Sequence, residues 1–141
     1  MDREQLIAKT VENELLQFLG VTIEKASGDH VVLKMPVTPK VHQYLGIMNG
    51  GVSLFLAETA ASIGVVAGQD LTQVSPVGIE INANHLRAVS KGILTVDAKP
   101  IYPGRTMAVW SIEITDERGK LVCISRLTMM IKRGAASRPE K

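Results

Sequence analysis

The chain has 141 residues, 45% of them hydrophobic, and a formal net charge of +2 at pH 7. That length suits one compact domain over residues 1–141 and leaves little room for a second. Sixteen Lys and Arg residues are scattered rather than gathered into a block, which argues against a nucleic-acid partner, and the one cysteine, Cys123, excludes an internal disulfide.

Met1-Asp2-Arg3-Glu4-Gln5 lacks the basic-then-apolar order of a secretion signal, so the cytoplasm is the expected compartment. From Asp2 to Leu19 the apolar residues Leu6, Ile7, Val11, Leu15, Phe18 and Leu19 recur at steps of three and four, which predicts one amphipathic helix ended by Gly20. Val21–Ala26 and His30–Val37 are β-prone runs joined by Ser27-Gly28-Asp29, and predict a hairpin that Pro36 and Pro39 terminate.

A loop through His42-Gln43-Tyr44-Leu45-Gly46 leads to a stretch too long for a strand, with an Ala-rich interior that favours a helix beginning near Asn49, a suitable N-cap, or Gly50. A membrane span over Gly46–Gly68 is disfavoured, because the stretch contains Glu58, Asn49 and five glycines and lacks flanking basic anchors. A helix apolar all round must be enclosed on most of its circumference, and in a small domain a curved sheet does this. Gly78–Ala88, Ile93–Tyr102, Thr106–Thr115 and Leu121–Lys132 supply four more strands, joined by connectors whose length permits antiparallel pairing and excludes crossover helices. The expected class is α+β, with one long central helix against a curved, mainly antiparallel six-stranded sheet and a frayed tail over 134–141.

Glu58 is the first chemical candidate, because a lone carboxylate among apolar and small residues is paired, protonated or facing a site where its charge is used. Its structural alternative is an ion pair with Arg87 or Arg126. Ser62, four residues on, shares its helical face and serves either a ligand or packing. Gly50-Gly51 at the helix start offers free N–H groups that can polarise a carbonyl oxygen, or else simply packs closely on the sheet. Eight residues separate Gly50 from Glu58, about 12 Å of helical rise, so the two can act on one carbonyl only if they come from different subunits of a two-fold dimer. His30, His42 and His85 have no metal-ligand spacing, and Cys123, alternating within a strand, reads as packing rather than a nucleophile.

The run His42 to Ser62, with Gly78-Ile79-Glu80-Ile81-Asn82-Ala83-Asn84-His85-Leu86-Arg87, Ile101-Tyr102-Pro103-Gly104-Arg105 and Val122 to Thr128, resembles the hotdog-fold acyl-CoA thioesterases. Within them it resembles the branch acting on 4-hydroxybenzoyl-CoA and 1,4-dihydroxy-2-naphthoyl-CoA. The resemblance implies a helix wrapped by an antiparallel sheet, assembled as a dimer or dimer of dimers, that hydrolyses an acyl-CoA without metal or added cofactor. It implies Glu58 as nucleophile or general base, Gln43 placing substrate or water, and Gly50 as donor to the thioester oxygen. Gly51, Ser62, His42, Asn84 and His85 become substrate-binding candidates, and Arg87, Arg105 and Arg126 candidates for the CoA phosphates. Asn49 departs from the pattern, since relatives commonly carry a histidine there, and asparagine cannot transfer a proton near neutral pH. Two other readings stay open: a hydratase or dehydratase of acyl thioesters, and a non-catalytic acyl-CoA binding module.

Overall fold

The computed structural model describes residues 2–67 and 69–134. The tail expected over 134–141 lies outside the described residues from 135 onward. Two short helices, α1 (Arg3–Val11) and α2 (Glu14–Leu19), precede the hairpin strands β1 (Thr22–Ala26) and β2 (Val31–Pro36), a single 3-10 turn (Pro39–Val41) and the long helix α3 (Gly50–Val66). Strands β3 (Val74–His85), β4 (Ile93–Pro103), β5 (Met107–Thr115) and β6 (Leu121–Arg133) complete the chain. All pairings are antiparallel in the order β1-β2-β4-β5-β6-β3, so β3 is a free edge although it follows α3 in sequence. This is the expected architecture of one long helix on a curved six-stranded sheet.

The single N-terminal helix expected over Asp2–Leu19 is two helices. Asp2 and Gln5 form a reciprocal capping box at the first. The Asn13 side chain then accepts from the Leu16 N–H at 3.1 Å and starts the second, because a short polar side chain competes with a continuing helix. Gly20 closes α2 in the left-handed conformation at φ 74°, as its position predicts. The break divides the apolar stripe: Leu6 and Leu16 are buried, whereas Val11, Leu15 and Phe18 face solvent.

The strand expected over Gly78–Ala88 instead begins at Val74 and ends at His85. Beyond it the Leu86 and Arg87 N–H groups both donate to the Val122 carbonyl, and Val89 accepts from the Met48 N–H at 2.8 Å, so this segment crosses toward the loop before α3.

The core lies between the sheet's concave face and one face of α3. Leu56, Ala57, Ala60 and Ala61 are fully buried there against a sheet layer that includes Leu33, Val96, Ile112 and Leu127. Small helical residues let the sheet approach closely. At Gly64 a Cβ would overlap the Trp110 ring, so glycine makes room for the largest buried side chain. The expectation that α3 is enclosed on most of its circumference holds: of its seventeen residues only Gly51 and Glu58, which share one face, are exposed. No helix among the described residues is long and apolar enough to cross a membrane.

Candidate active site

Two separate clefts are lined by half of the candidate residues. The first, about 390 Å³, is lined by Gln43, Gly50, Ser53, His85 and Arg87, with Ile47 and Met48 from the loop before α3. Asn49 caps the helix here: its side-chain oxygen accepts from the Gly51 N–H at 2.8 Å, and its carbonyl accepts from the Val52 N–H. The Gly50 N–H has no intrahelical acceptor, as the first of the helix, and stands available for a ligand oxygen. The His85 imidazole lies 3.0 Å from where a Cβ on residue 50 would be, so glycine at 50 lets the ring lie against the helix start. The Gln43 side-chain carbonyl accepts from the Leu45 N–H, which fixes its orientation and leaves its amide group as a donor.

The second cleft, about 620 Å³, is lined on one wall by Phe55, Glu58, Thr59, Ser62, Ile63 and Val66 of α3. Their spacing of three and four places them along a single helical face. Glu58 is exposed and makes no ion pair among the described residues, so the alternative pairing with Arg87 or Arg126 is not formed. Its carboxylate leans toward the free-edge strand, with Oε1 only 2.5 Å from where a Cβ on Gly78 would lie. A β-bulge between Gly78 and Glu80 interrupts the β3–β6 ladder at this point.

The opposite wall comes from Leu6, Lys9, Thr10, Asn13 and Leu16, none of which was a site candidate, and Leu71 also contributes. Asp70 accepts from the Thr72 hydroxyl at 2.7 Å and its N–H at 2.9 Å, holding the turn that carries Leu71. These bonds hold the Asp70 carboxyl below its usual range. In sequence, only the three-and-four spacing of Leu6, Lys9, Thr10 and Asn13 hints at a shared face. What that face packs over is a long-range fact.

The remaining candidates disperse. His42 is engaged with the Ser90 carbonyl through Nε2 at 2.8 Å. Asn84 and Arg126 lie on the sheet's outer face with Asn82, Ser111 and Glu113, and Arg105 lies in the β4–β5 turn, where its carbonyl accepts from Arg133. Arg87 borders the cleft that holds Gln43, Gly50 and His85, whereas Arg126 shares a cleft on the outer face with Asn84. Cys123 is fully buried, and burial pushes its thiol up from the usual range, against a smaller opposing effect of the Ser53 hydroxyl. This favours packing over nucleophilic use.

Comparison with known proteins adds an independent line. The thioesterase superfamily model matches residues 45–123, which include Gly50, Glu58, Ser62 and His85. The chain is 43% identical to a 1,4-dihydroxy-2-naphthoyl-CoA hydrolase of Listeria monocytogenes over 84% of this chain and 96% of that one. A thioesterase of Pseudomonas aeruginosa, solved as a glutamine-to-alanine mutant, superposes with a TM-score of 0.86 at 37% identity, covering 95% of this chain and 96% of its own. A hypothetical thioesterase of Streptococcus pneumoniae, solved with coenzyme A, gives 0.73 at 25% identity over 94% and 96%.

Proposed function

Because the chain belongs to the thioesterase superfamily, and so is a hydrolase of acyl-CoA thioesters with the hotdog fold, we propose that its substrate is an aromatic acyl-CoA of the 1,4-dihydroxy-2-naphthoyl type. We propose further that Glu58 initiates the cleavage. The observation that carries this reading is the division of the candidate groups: Gln43 and Gly50 line one cleft and Glu58 and Ser62 another, with about 12 Å of helix rise between Gly50 and Glu58. Each chain then holds two half-sites. The free edge at β3, twelve residues long, exposed over most of its length and adjacent to Glu58, supports pairing of two copies about a two-fold axis that joins each half-site to its complement.

In the joined site, Glu58 takes a proton from water as the water oxygen attacks the thioester carbonyl, or attacks that carbon itself to give an anhydride that water then opens. Charge developing on the carbonyl oxygen is met by the N–H of Gly50 of the partner subunit, assisted by the positive end of α3. Collapse breaks the C–S bond and releases CoA as thiolate, which takes up the proton. Asn49 is committed through its oxygen to capping Gly51, a role that needs no proton transfer. No metal or added cofactor enters this scheme, and Arg87 is the favoured contact for the CoA phosphates.

The test is subunit complementation. Glu58→Ala and Gln43→Ala proteins are assayed for CoA thiol release from 1,4-dihydroxy-2-naphthoyl-CoA separately and after subunit exchange at equal amounts. Each alone is expected to be nearly inactive, and the mixture to regain about a quarter of wild-type activity, since half the dimers carry one intact site of two. A mixture no more active than its parts overturns the shared site, and full activity of Glu58→Ala alone overturns the mechanism.

A further inference from the structure

The scheme above makes no use of α1 and α2, yet they form a whole wall of the cleft that holds Glu58. We infer that this wall recognises the acyl group, and that Lys9 and Asn13 select acyl groups bearing an oxygen substituent. The inference rests on the reading that the thioester is cleaved at Glu58, and adds which residues set the substrate class.

The cleft's size falls in the range of small-molecule sites, and its apolar lining from Leu6, Leu16, Phe55, Ile63, Val66 and Leu71 suits a flat hydrocarbon body. The polar groups on the α1–α2 wall are partly committed. Thr10 donates its hydroxyl hydrogen to the Leu6 carbonyl at 2.8 Å and so offers only lone pairs. Asn13 uses its side-chain oxygen to cap α2, which leaves its amide group as a free donor. Lys9 makes no ion pair among the described residues and supplies further donors. Two donor groups therefore face Glu58, Thr59 and Ser62 across the cleft. A bare aromatic ring would strip water from Lys9 and Asn13 and return nothing, whereas a hydroxyl or carbonyl oxygen on the ring accepts from them.

The experiment compares kcat/KM for 1,4-dihydroxy-2-naphthoyl-CoA with that for 2-naphthoyl-CoA in the wild type, in Lys9→Met, which keeps the aliphatic stem, and in Asn13→Ser, which keeps a capping oxygen. The ratio is expected to fall about ten-fold in each variant, chiefly through KM. An unchanged ratio in both overturns the inference. A general loosening of the fold lowers both substrates together and leaves the ratio where it was. The same two ligands are titrated onto Glu58→Gln protein with and without Lys9→Met, so that the preference is also read as a ratio of Kd values. If Glu58→Gln hydrolyses at the wild-type rate, the catalytic assignment fails while the ratios still decide the recognition wall. If catalysis is lost and the ratios do not move, the wall fails and the catalytic assignment stands.

Discussion

The two faces of α3 are built from similar residues and do opposite work. On the sheet side Leu56, Ala57, Ala60 and Ala61 are wholly buried, and Gly64 lies against Trp110. On the other side Phe55, Glu58, Thr59 and Ser62 are exposed or half-buried and line a cleft. One face holds the fold together. The other keeps a cleft, with a carboxylate that no partner among the described residues neutralises. Average hydropathy cannot separate them, because alanine, glycine and serine serve on both.

The sharpest way to break this contrast is Glu58→Ala. Turnover of an aroyl-CoA should fall about a thousand-fold while the melting temperature stays within a few degrees, read by thiol release and calorimetry on one preparation. A large loss of stability would mean that Glu58 belongs to the packed face after all. Gly64→Ala probes the other side: a methyl group against the Trp110 ring should cost about 1–3 kcal/mol in urea unfolding. Turnover per folded molecule should survive it.

Asn49→Ala comes next, with an expected cost of about 1 kcal/mol from loss of the helix cap, and a moderate fall in kcat as the Gly50 N–H loses its fixed direction. A fall in kcat as deep as that of Glu58→Ala would give Asn49 a part in the chemistry itself. The smallest effect is reserved for Ser125, buried on β6 with a hydroxyl that has no hydrogen-bond partner among the described residues. Ser125→Ala should be neutral or stabilise by up to about 1 kcal/mol in the same unfolding assay.

Much of this was legible in the sequence. Glu58 stood out because a charge interrupts an apolar run, and Asn49-Gly50-Gly51 announced a helix start through cap chemistry, which the Asn49–Gly51 bond bears out. The β4–β5 and β5–β6 pairings followed from their short connectors, but β3, joined to β4 by a connector that reads as equally short, pairs with β6 instead, and β4 pairs with β2. The break at Asn13 was missed, since Leu6 through Leu19 keep helical spacing across it and only the bond to the Leu16 N–H reveals the second start. The early start of β3 was also missed, because Val74-Ser75-Pro76 carries a proline, which an edge strand tolerates where a central strand does not. The wall supplied by α1 and α2 was not legible, because what a short amphipathic helix covers depends on the position of residues some fifty places away.

Gly78 lines neither cleft, yet it gives the molecule a lever on Glu58. Its bare Cα leaves a notch in the edge strand, and the end of the Glu58 side chain occupies it. A flexible carboxylate yields easily, so Gly78→Ala should leave folding nearly intact and still displace the Glu58 oxygen, which lowers turnover if that oxygen acts as proposed. For anyone redesigning this chain, a position twenty residues from Glu58 and free of chemistry of its own works as an aiming screw. It can be turned by one methyl group at a time, and a library that fills it will read as inactive for reasons no inspection of the reacting groups would reveal.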